Sequence, residues 1–154
     1  MTPREIMAKT IRFEHPPRRG RTLPQPWGGD LAWQSMDPHL DSRPGNMLEP
    51  TADEWGSVWH NLGSSSLGEV KDFPLKTWAD FATLKYPDPM DPARWESMVG
   101  ARERAGDKFL VGGGVSLYER IHFLRGLENM WIDIYENPDE LRELIDLLVN
   151  MNLI

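Results

Sequence analysis

KFLVGGGVSLYE, residues 108–119, carries the strongest indication of the chain's architecture. Its first four residues form a short, largely apolar run that is typical of a buried strand, and three glycines end that run at once. Ser116 then stands at the N-cap of a helix, with Glu119 at the third helical position. A strand, a glycine turn and a helix in this order form a βα unit, so the stretch predicts an α/β fold with a parallel sheet.

Further helices are predicted on both sides of this unit. Residues 2–5 form a capping box with proline at the first helical position, and the helix must end by His15 because two prolines follow. Asp91-Pro92 opens another helix, which Gly106 ends. Residues 137–140, NPDE, open a third helix. Its apolar stripe consists of Leu141, Leu144, Ile145, Leu148 and Val149.

Two further segments predict short strands. Residues 53–59, DEWGSVW, partly alternate aromatic and branched side chains, and residues 67–75, LGEVKDFPL, form a run that ends at Pro74. Residues 77–80 form a second capping box and predict a short helix. Strands that alternate with helices favour an α/β fold. Since the apolar stripe at 141–149 needs a cover, we expect more structure to follow Ile154.

Residues 16–50 are predicted to form an irregular, proline-rich arm. Seven prolines punctuate it: Pro16, Pro17, Pro24, Pro26, Pro38, Pro44 and Pro50. An irregular stretch of this length is unusual in a compact domain unless it packs over a site or docks a partner. The arm contains the basic cluster Arg18-Arg19-Gly20-Arg21, which is either a solvated loop or an anion-binding segment.

Composition argues against several classes of partner. The net charge of -7 and the pI of about 5.1 disfavour a nucleic-acid groove or an anionic membrane surface. The chain has no cysteine, and its four histidines lack the spacing of a metal site, so no metal is predicted. No apolar run approaches the ~18 residues of a membrane span. The N-terminus has no signal core, which predicts a cytoplasmic protein.

Several residues could have a catalytic or binding role, and for each of them a purely structural role is the alternative. Gly112, Gly113 and Gly114 could cradle an anion with their N–H groups, or simply make a tight turn. Asp53 stands beside Trp55 in the 53–59 segment; such a carboxylate can stabilise a cation or act as a base, whereas a turn aspartate is the alternative. Trp55 could wall a flat aromatic ligand or belong to the core. His122, in the helix after the glycines, is either a packed side chain or a catalyst.

Three blocks of the sequence together resemble the uroporphyrinogen decarboxylase superfamily. The first is TPREIMAKTIRFEHPPR at the start of the chain, and the second is DEWGSVW with the following GEVKDFPLKTWADF and YPDP. The third is GGGVSLYERIHFLRGLENMWIDIYENPDELRELIDLL. The order and spacing of the blocks carry the resemblance, and residues 20–50 match least.

The resemblance implies a (β/α)₈ TIM barrel. A complete barrel takes about 250 residues, so residues 1–154 would form the N-terminal part of a single partial barrel domain. The superfamily includes homodimeric, cofactor-free decarboxylases of porphyrin biosynthesis. It also includes methyltransferases that move methyl groups between corrinoids and thiols, often with zinc.

The resemblance also implies roles for individual residues. Asp53 falls at the aspartate that binds pyrrole N–H groups. His122 falls at a tyrosine of the decarboxylases, with Tyr118 one turn earlier. Arg19 and Arg21 lie near the arginine motif that holds substrate carboxylates, although they do not reproduce that motif.

Three hypotheses follow. The first is a lyase that removes a carboxyl group from a tetrapyrrole-type substrate, without a cofactor, as a homodimer of which this chain is an inactive fragment. The second is a corrinoid/thiol methyltransferase, which would use zinc and a corrinoid. The third is a non-enzymatic, truncated half barrel that pairs with another chain.

Overall fold

The structure is a computed structural model that describes residues 1–24, 26–44, 49–61 and 68–153. The chain forms two compact units. Unit 1 contains Met1–Asp37 and Pro92–Gly113, and unit 2 contains Pro38–Asp91 and Gly114–Ile154. The α-helices are α1 (Pro3–Ile11), α2 (Pro92–Trp95), α3 (Ala101–Ala105), α4 (Leu117–Arg125), α5 (Leu127–Glu136) and α6 (Pro138–Asn152). The strands are β1 (Leu31–Trp33), β2 (Thr51–Ala52), β3 (Val58–His60), β4 (Glu69–Asp72) and β5 (Phe109–Val111).

Unit 1 contains a two-stranded parallel sheet. Strand β5 occupies the apolar run at 108–111, so that strand prediction is confirmed. Its partner is β1, in the register Leu31 with Phe109 and Trp33 with Val111. Parallel strands require a crossover connection, because the chain must return to the same end of the sheet before the second strand begins. Strand β1 lies inside the arm at 16–50, where the sequence predicts irregular structure.

Helix α1 has the predicted capping box. The Thr2 hydroxyl accepts a hydrogen bond from the Glu5 N–H at 3.2 Å, and the Glu5 carboxylate accepts one from the Thr2 N–H at 2.8 Å. The helix ends at Ile11, four residues before the limit set by the prolines. Phe13 and His15 then adopt positive φ values of 58° and 47°, which are uncommon for residues with a side chain and turn the chain sharply.

Unit 2 contains a three-stranded antiparallel sheet in the order β2-β3-β4. The segment 53–59 is therefore a turn followed by the start of β3, rather than one strand. Gly56, at φ 86°, allows this turn, and its N–H donates to the Asp53 carbonyl at 3.0 Å. Strand β4 lies within the predicted range 67–75, whose first residue, Leu67, lies outside the described residues. The antiparallel pairing differs from the parallel sheet that the sequence predicts.

Helices α4 and α6 begin where the sequence predicts, at Leu117 and Pro138. Gly126, at φ 82°, separates α4 from α5 because its backbone conformation does not continue a helix. The capping box at 77–80 is present and begins a 3₁₀ helix at Trp78–Thr83. Three residues of the α6 stripe, Leu141, Leu144 and Leu148, are buried, which confirms the amphipathic helix.

The helix predicted after Asp91-Pro92 is divided into short pieces. Helix α2 is followed by a 3₁₀ turn at Glu96–Met98 and then by α3, which ends at Gly106 as predicted. Gly100, at φ 71°, breaks the helical path between the turn and α3.

The strands in the described ranges form one parallel pair and one antiparallel sheet, and they do not close into a barrel. The partial barrel therefore stays a prediction. None of the helices in the same ranges has the length and apolar character needed to span a bilayer.

Candidate functional site

The carboxylate of Asp53 lies at the centre of a buried polar cluster in unit 2. Its Oδ1 accepts hydrogen bonds from the backbone N–H groups of Trp55 and Ser57, at 3.0 and 2.9 Å. Its Oδ2 accepts from the indole N–H of Trp59 at 3.0 Å and from Nη1 of Arg120 at 2.9 Å. An ionised carboxylate has about four acceptor sites, so the chain's own donors occupy all of them.

Arg120 joins Asp53 to a second carboxylate. Its side chain is 0% exposed, as is that of Asp53, and its Nε donates to Asp41 Oδ1 at 2.9 Å. Nη2 lies 2.8 Å from the same oxygen but lacks hydrogen-bond geometry. The guanidinium also lies 4.9 Å from the centre of the Trp55 ring, within the range of a cation–π contact. Two carboxylates and one guanidinium leave the cluster with one net negative charge.

Asp41 also occupies the N-terminus of α4. Its Oδ2 accepts a hydrogen bond from the Ser116 N–H, where the four N-terminal N–H groups of a helix have no partner within the helix. This carboxylate, 20% exposed, places a negative charge at the helix N-terminus, where it is favourable. The anion cradle at Gly112, Gly113 and Gly114 stays a prediction.

The glycine segment is held by side chains of the chain itself. The Gly113 N–H donates to the Ser35 hydroxyl at 3.1 Å in unit 1. In unit 2, Asn152 accepts from the Val115 N–H at 2.8 Å and donates to the Val115 carbonyl at 3.1 Å. A Cβ on Gly114 would overlap the Asn152 amide oxygen, so the Asn152 side chain would have to shift. Both Gly112 and Gly114 are exposed.

The other predicted residues of unit 2 lie around α4. Tyr118 and His122 are one turn apart on this helix; the Tyr118 side chain is exposed and His122 is half-buried. The His122 ring lies 5.3 Å from that of Phe123. Trp55 is 1% exposed and donates its indole N–H to the Leu40 carbonyl at 2.7 Å. Trp55 therefore belongs to the core, and the Arg120 guanidinium packs on the face of its indole ring.

The basic cluster at 18–21 belongs to unit 1, and its three arginines have different surroundings. Arg18 binds Asp30 through both terminal nitrogens, at 2.6 and 2.7 Å. These hydrogen bonds outweigh the effect of burial and lower the pKa of the Asp30 carboxyl below its ordinary value. Arg19 lines a cavity of about 480 Å³, together with Phe13 and His15. Arg21 is exposed.

A second buried ion pair fixes the junction of α4 and α5. Nε of Arg125 donates to Asp133 Oδ2 at 2.7 Å, and Nη1 donates to the carbonyls of Leu75 and Lys76 at 3.1 and 2.6 Å. Burial raises the pKa of Asp133, but hydrogen bonds from Arg125, Trp78 and Asn137 outweigh it and lower that pKa below its ordinary value. With these partners, the pair has a structural role.

The parts of the chain that the structure describes contain no set of side chains that could hold a metal ion. No group of three or more His, Asp or Glu side chains converges there, and the chain has no cysteine. Asp41 and Asp53 both bind Arg120.

Comparisons with models of protein families, curated proteins and solved structures gave no match for this chain.

Sequence reasoning missed Arg120, Asp41 and Asp30. A signal existed for Arg120, because it lies four residues before Leu124 and therefore on the buried face of α4. A charged residue on the apolar face of a helix indicates a buried partner of opposite charge. Asp41 and Asp30 lie in the proline-rich arm and carry no comparable local signal.

Proposed function

We propose that this chain is the N-terminal portion of an enzyme of the uroporphyrinogen decarboxylase superfamily, and that the full-length enzyme removes a carboxyl group from a tetrapyrrole-type substrate. The resemblance of three sequence blocks motivates the proposal. The observation that carries it is Asp53, whose buried carboxylate accepts N–H groups exclusively, including an indole N–H. Pyrrole N–H groups of a tetrapyrrole present the same donor chemistry.

Oδ2 of Asp53 is the oxygen that the substrate would engage. The two backbone donors on Oδ1 belong to the turn that forms the β2–β3 connection, so they are fixed by the fold. The donors on Oδ2 are the side chains of Trp59 and Arg120, both of which are buried. Substrate binding at Asp53 therefore requires a rearrangement of one of these two side chains.

The carboxylate would stabilise the charge that develops during decarboxylation. A proton adds to a pyrrole carbon and makes the ring cationic. The bond between the side-chain carbon and the carboxyl group then breaks, its electron pair neutralises the ring, and CO₂ departs. A second proton adds to the carbon that lost the carboxyl group. The first proton then leaves the ring carbon, and aromaticity returns. A fixed negative charge beside the ring lowers the energy of the cation.

A direct test uses a protein that contains this chain together with the rest of the barrel. It is incubated with uroporphyrinogen, and coproporphyrinogen is measured by chromatography with fluorescence detection. We expect product from the wild type, and a loss of at least about 100-fold in kcat for D53N, in line with removal of a charge-stabilising group. Circular dichroism of D53N checks that the protein is folded. A wild-type protein that forms no coproporphyrinogen would reject the decarboxylase.

A second candidate is the corrinoid/thiol methyltransferase of the same superfamily. The basic cluster at 18–21 motivates it, because this cluster does not reproduce the arginine motif that holds substrate carboxylates in the decarboxylases, and Arg18 binds Asp30 within the chain. The resemblance implies zinc and a corrinoid for this branch. Zinc content and demethylation of methylcobalamin by the full-length protein distinguish the two candidates, since a metal-free protein that is inert to methylcobalamin contradicts the methyltransferase.

A further inference from the structure

Helix α5 presents an apolar face to solvent. Trp131 is 55% exposed and Tyr135 is 88% exposed, and both lie on one side of the helix because they are four residues apart. Ile132, 49% exposed, lies beside them. The opposite side of α5 packs into unit 2 through Met130 and Asp133, so the orientation of the helix is fixed by its buried face.

The exposed face forms a shallow, open groove between side chains of α5 alone, with an acidic rim. Glu128 and Glu136 border this open space of about 510 Å³ together with the three apolar side chains. These two glutamates are the exposed charged residues of α5, since Asp133 is buried with Arg125. They are eight residues apart, which places them about 12 Å apart along the helix axis at 1.5 Å per residue. The groove is therefore an aromatic centre with a negative charge at each end.

We propose that this groove, which we call the α5 groove, binds a cationic amphipathic helix of a partner protein. Trp and Tyr are the residues that most often dominate the binding energy of protein interfaces. An amphipathic helix lays its apolar stripe into such a groove, and basic residues two turns apart on its flanks would meet Glu128 and Glu136. This inference stands independently of the proposed enzymatic function.

A second copy of the chain fits the groove less well. In a two-fold contact each α5 meets an identical α5, so Glu128 and Glu136 would face glutamates of the same sign. Like charges placed opposite each other in an interface are unfavourable. A partner with lysine or arginine at those places removes this repulsion and gains attraction instead.

The test measures binding of a fluorescent 18-residue peptide of leucine and lysine at helical spacing to the full 154-residue chain by anisotropy. We expect saturable 1:1 binding. The double variant W131A/Y135A should weaken it by at least 10-fold, since it removes the apolar centre and leaves the charge unchanged. W27A replaces a tryptophan that is 67% exposed in unit 1 and should bind as the wild type does.

Charge variants separate the groove from general attraction between an acidic protein and a basic peptide. E128K/E136K should weaken binding at least 10-fold, whereas E96K/D107K, which makes the same charge change at exposed positions of unit 1, should weaken it less than 3-fold. The proposal would be overturned if E128K/E136K and E96K/D107K weakened peptide binding equally, or if W131A/Y135A bound the peptide with wild-type affinity. A concentration-dependent dimer in sedimentation that W131A/Y135A abolishes would also overturn it, in favour of a second copy.

Discussion

Arg120 and Asp53 form an ion pair in which both side chains are fully buried, with 2.9 Å between Nη1 and Oδ2. The two residues are 67 positions apart in the sequence. The pair connects α4 to the β2–β3 turn, and Asp41 extends it to the segment before β2. The guanidinium of Arg120 therefore connects three separate parts of unit 2.

We expect D53N to lower the free energy of unfolding by about 3 kcal/mol, because removal of one partner leaves a buried charge only partly compensated. The value lies at the low end of the range for broken buried pairs, since Asp41 still faces Arg120. Urea denaturation followed by tryptophan fluorescence measures it. E69Q, which breaks an exposed pair with Lys71, is the control and should cost less than about 1 kcal/mol. Equal losses in the two variants would refute a structural role for the buried pair.

The second buried pair predicts that R125K is destabilising although the charge is kept. Lysine has one nitrogen and cannot serve Asp133 and the carbonyls of Leu75 and Lys76 with the geometry of the guanidinium. We expect a loss of about 1–3 kcal/mol, the cost of a buried acceptor that loses its partner. R142K, at an exposed position of α6, should leave the unfolding midpoint unchanged. An unfolding midpoint of R125K equal to that of R142K would show that the carbonyl contacts contribute nothing.

The lowered pKa of Asp133 predicts a defined acid sensitivity. A carboxyl group whose pKa is lower in the folded state stabilises the fold above its unfolded pKa of about 3.9, and that contribution disappears as the pH falls through the folded value. The difference in unfolding free energy between wild type and D133N should therefore shrink as the pH falls from 6 towards 3. For I145V, a neutral change on α6, the difference in unfolding free energy from wild type should stay constant over the same pH range. If the unfolding free energies of D133N and wild type changed in parallel with pH, the prediction would be contradicted.

The contact between Gly114 and Asn152 predicts unequal effects of alanine at two neighbouring glycines. G114A should lose about 1–3 kcal/mol because its Cβ displaces the Asn152 side chain and forces a repacking. In G112A the new Cβ would lie 3.4 Å from the Gln34 carbonyl, an ordinary contact, so we expect a much smaller loss. The double variant G114A/N152A should lose less than the sum of its single variants. Strict additivity would mean that the two positions do not interact.

Local signals in the sequence predicted where α1, α4 and α6 begin. The capping boxes at Thr2 and Thr77 involve residues three positions apart, so a few neighbouring side chains suffice to place each helix start. The stripe of α6 predicted its buried face for the same reason. Strand β1 was missed because three residues within a proline-rich segment give too short a pattern, and its pairing with β5 depends on residues 78 positions away.

The candidate site was harder to predict than the helices, because its contacts connect distant positions. The sequence suggested either a chemical or a turn role for Asp53. The hydrogen bonds to Trp55 and Ser57 stabilise the turn, and the chemical role stays a prediction. The partner Arg120 lies in another block of the sequence. The Ser116 N–H at the start of α4 binds Asp41, which lies 75 residues earlier in the sequence. No local pattern relates such positions, whereas the three-dimensional fold does.

Arg120 is synthesised well after the carboxylate of Asp53 that it neutralises. A ribosome adds roughly 5–20 residues per second, so Arg120 follows Asp53 by about 3–13 s. Throughout that interval both carboxylates of the cluster lack their cation, and they must stay hydrated because an unpaired charge is expensive to bury. The β2–β4 meander therefore cannot complete its interior while it emerges, and the arrival of α4 sets the earliest moment at which unit 2 becomes compact.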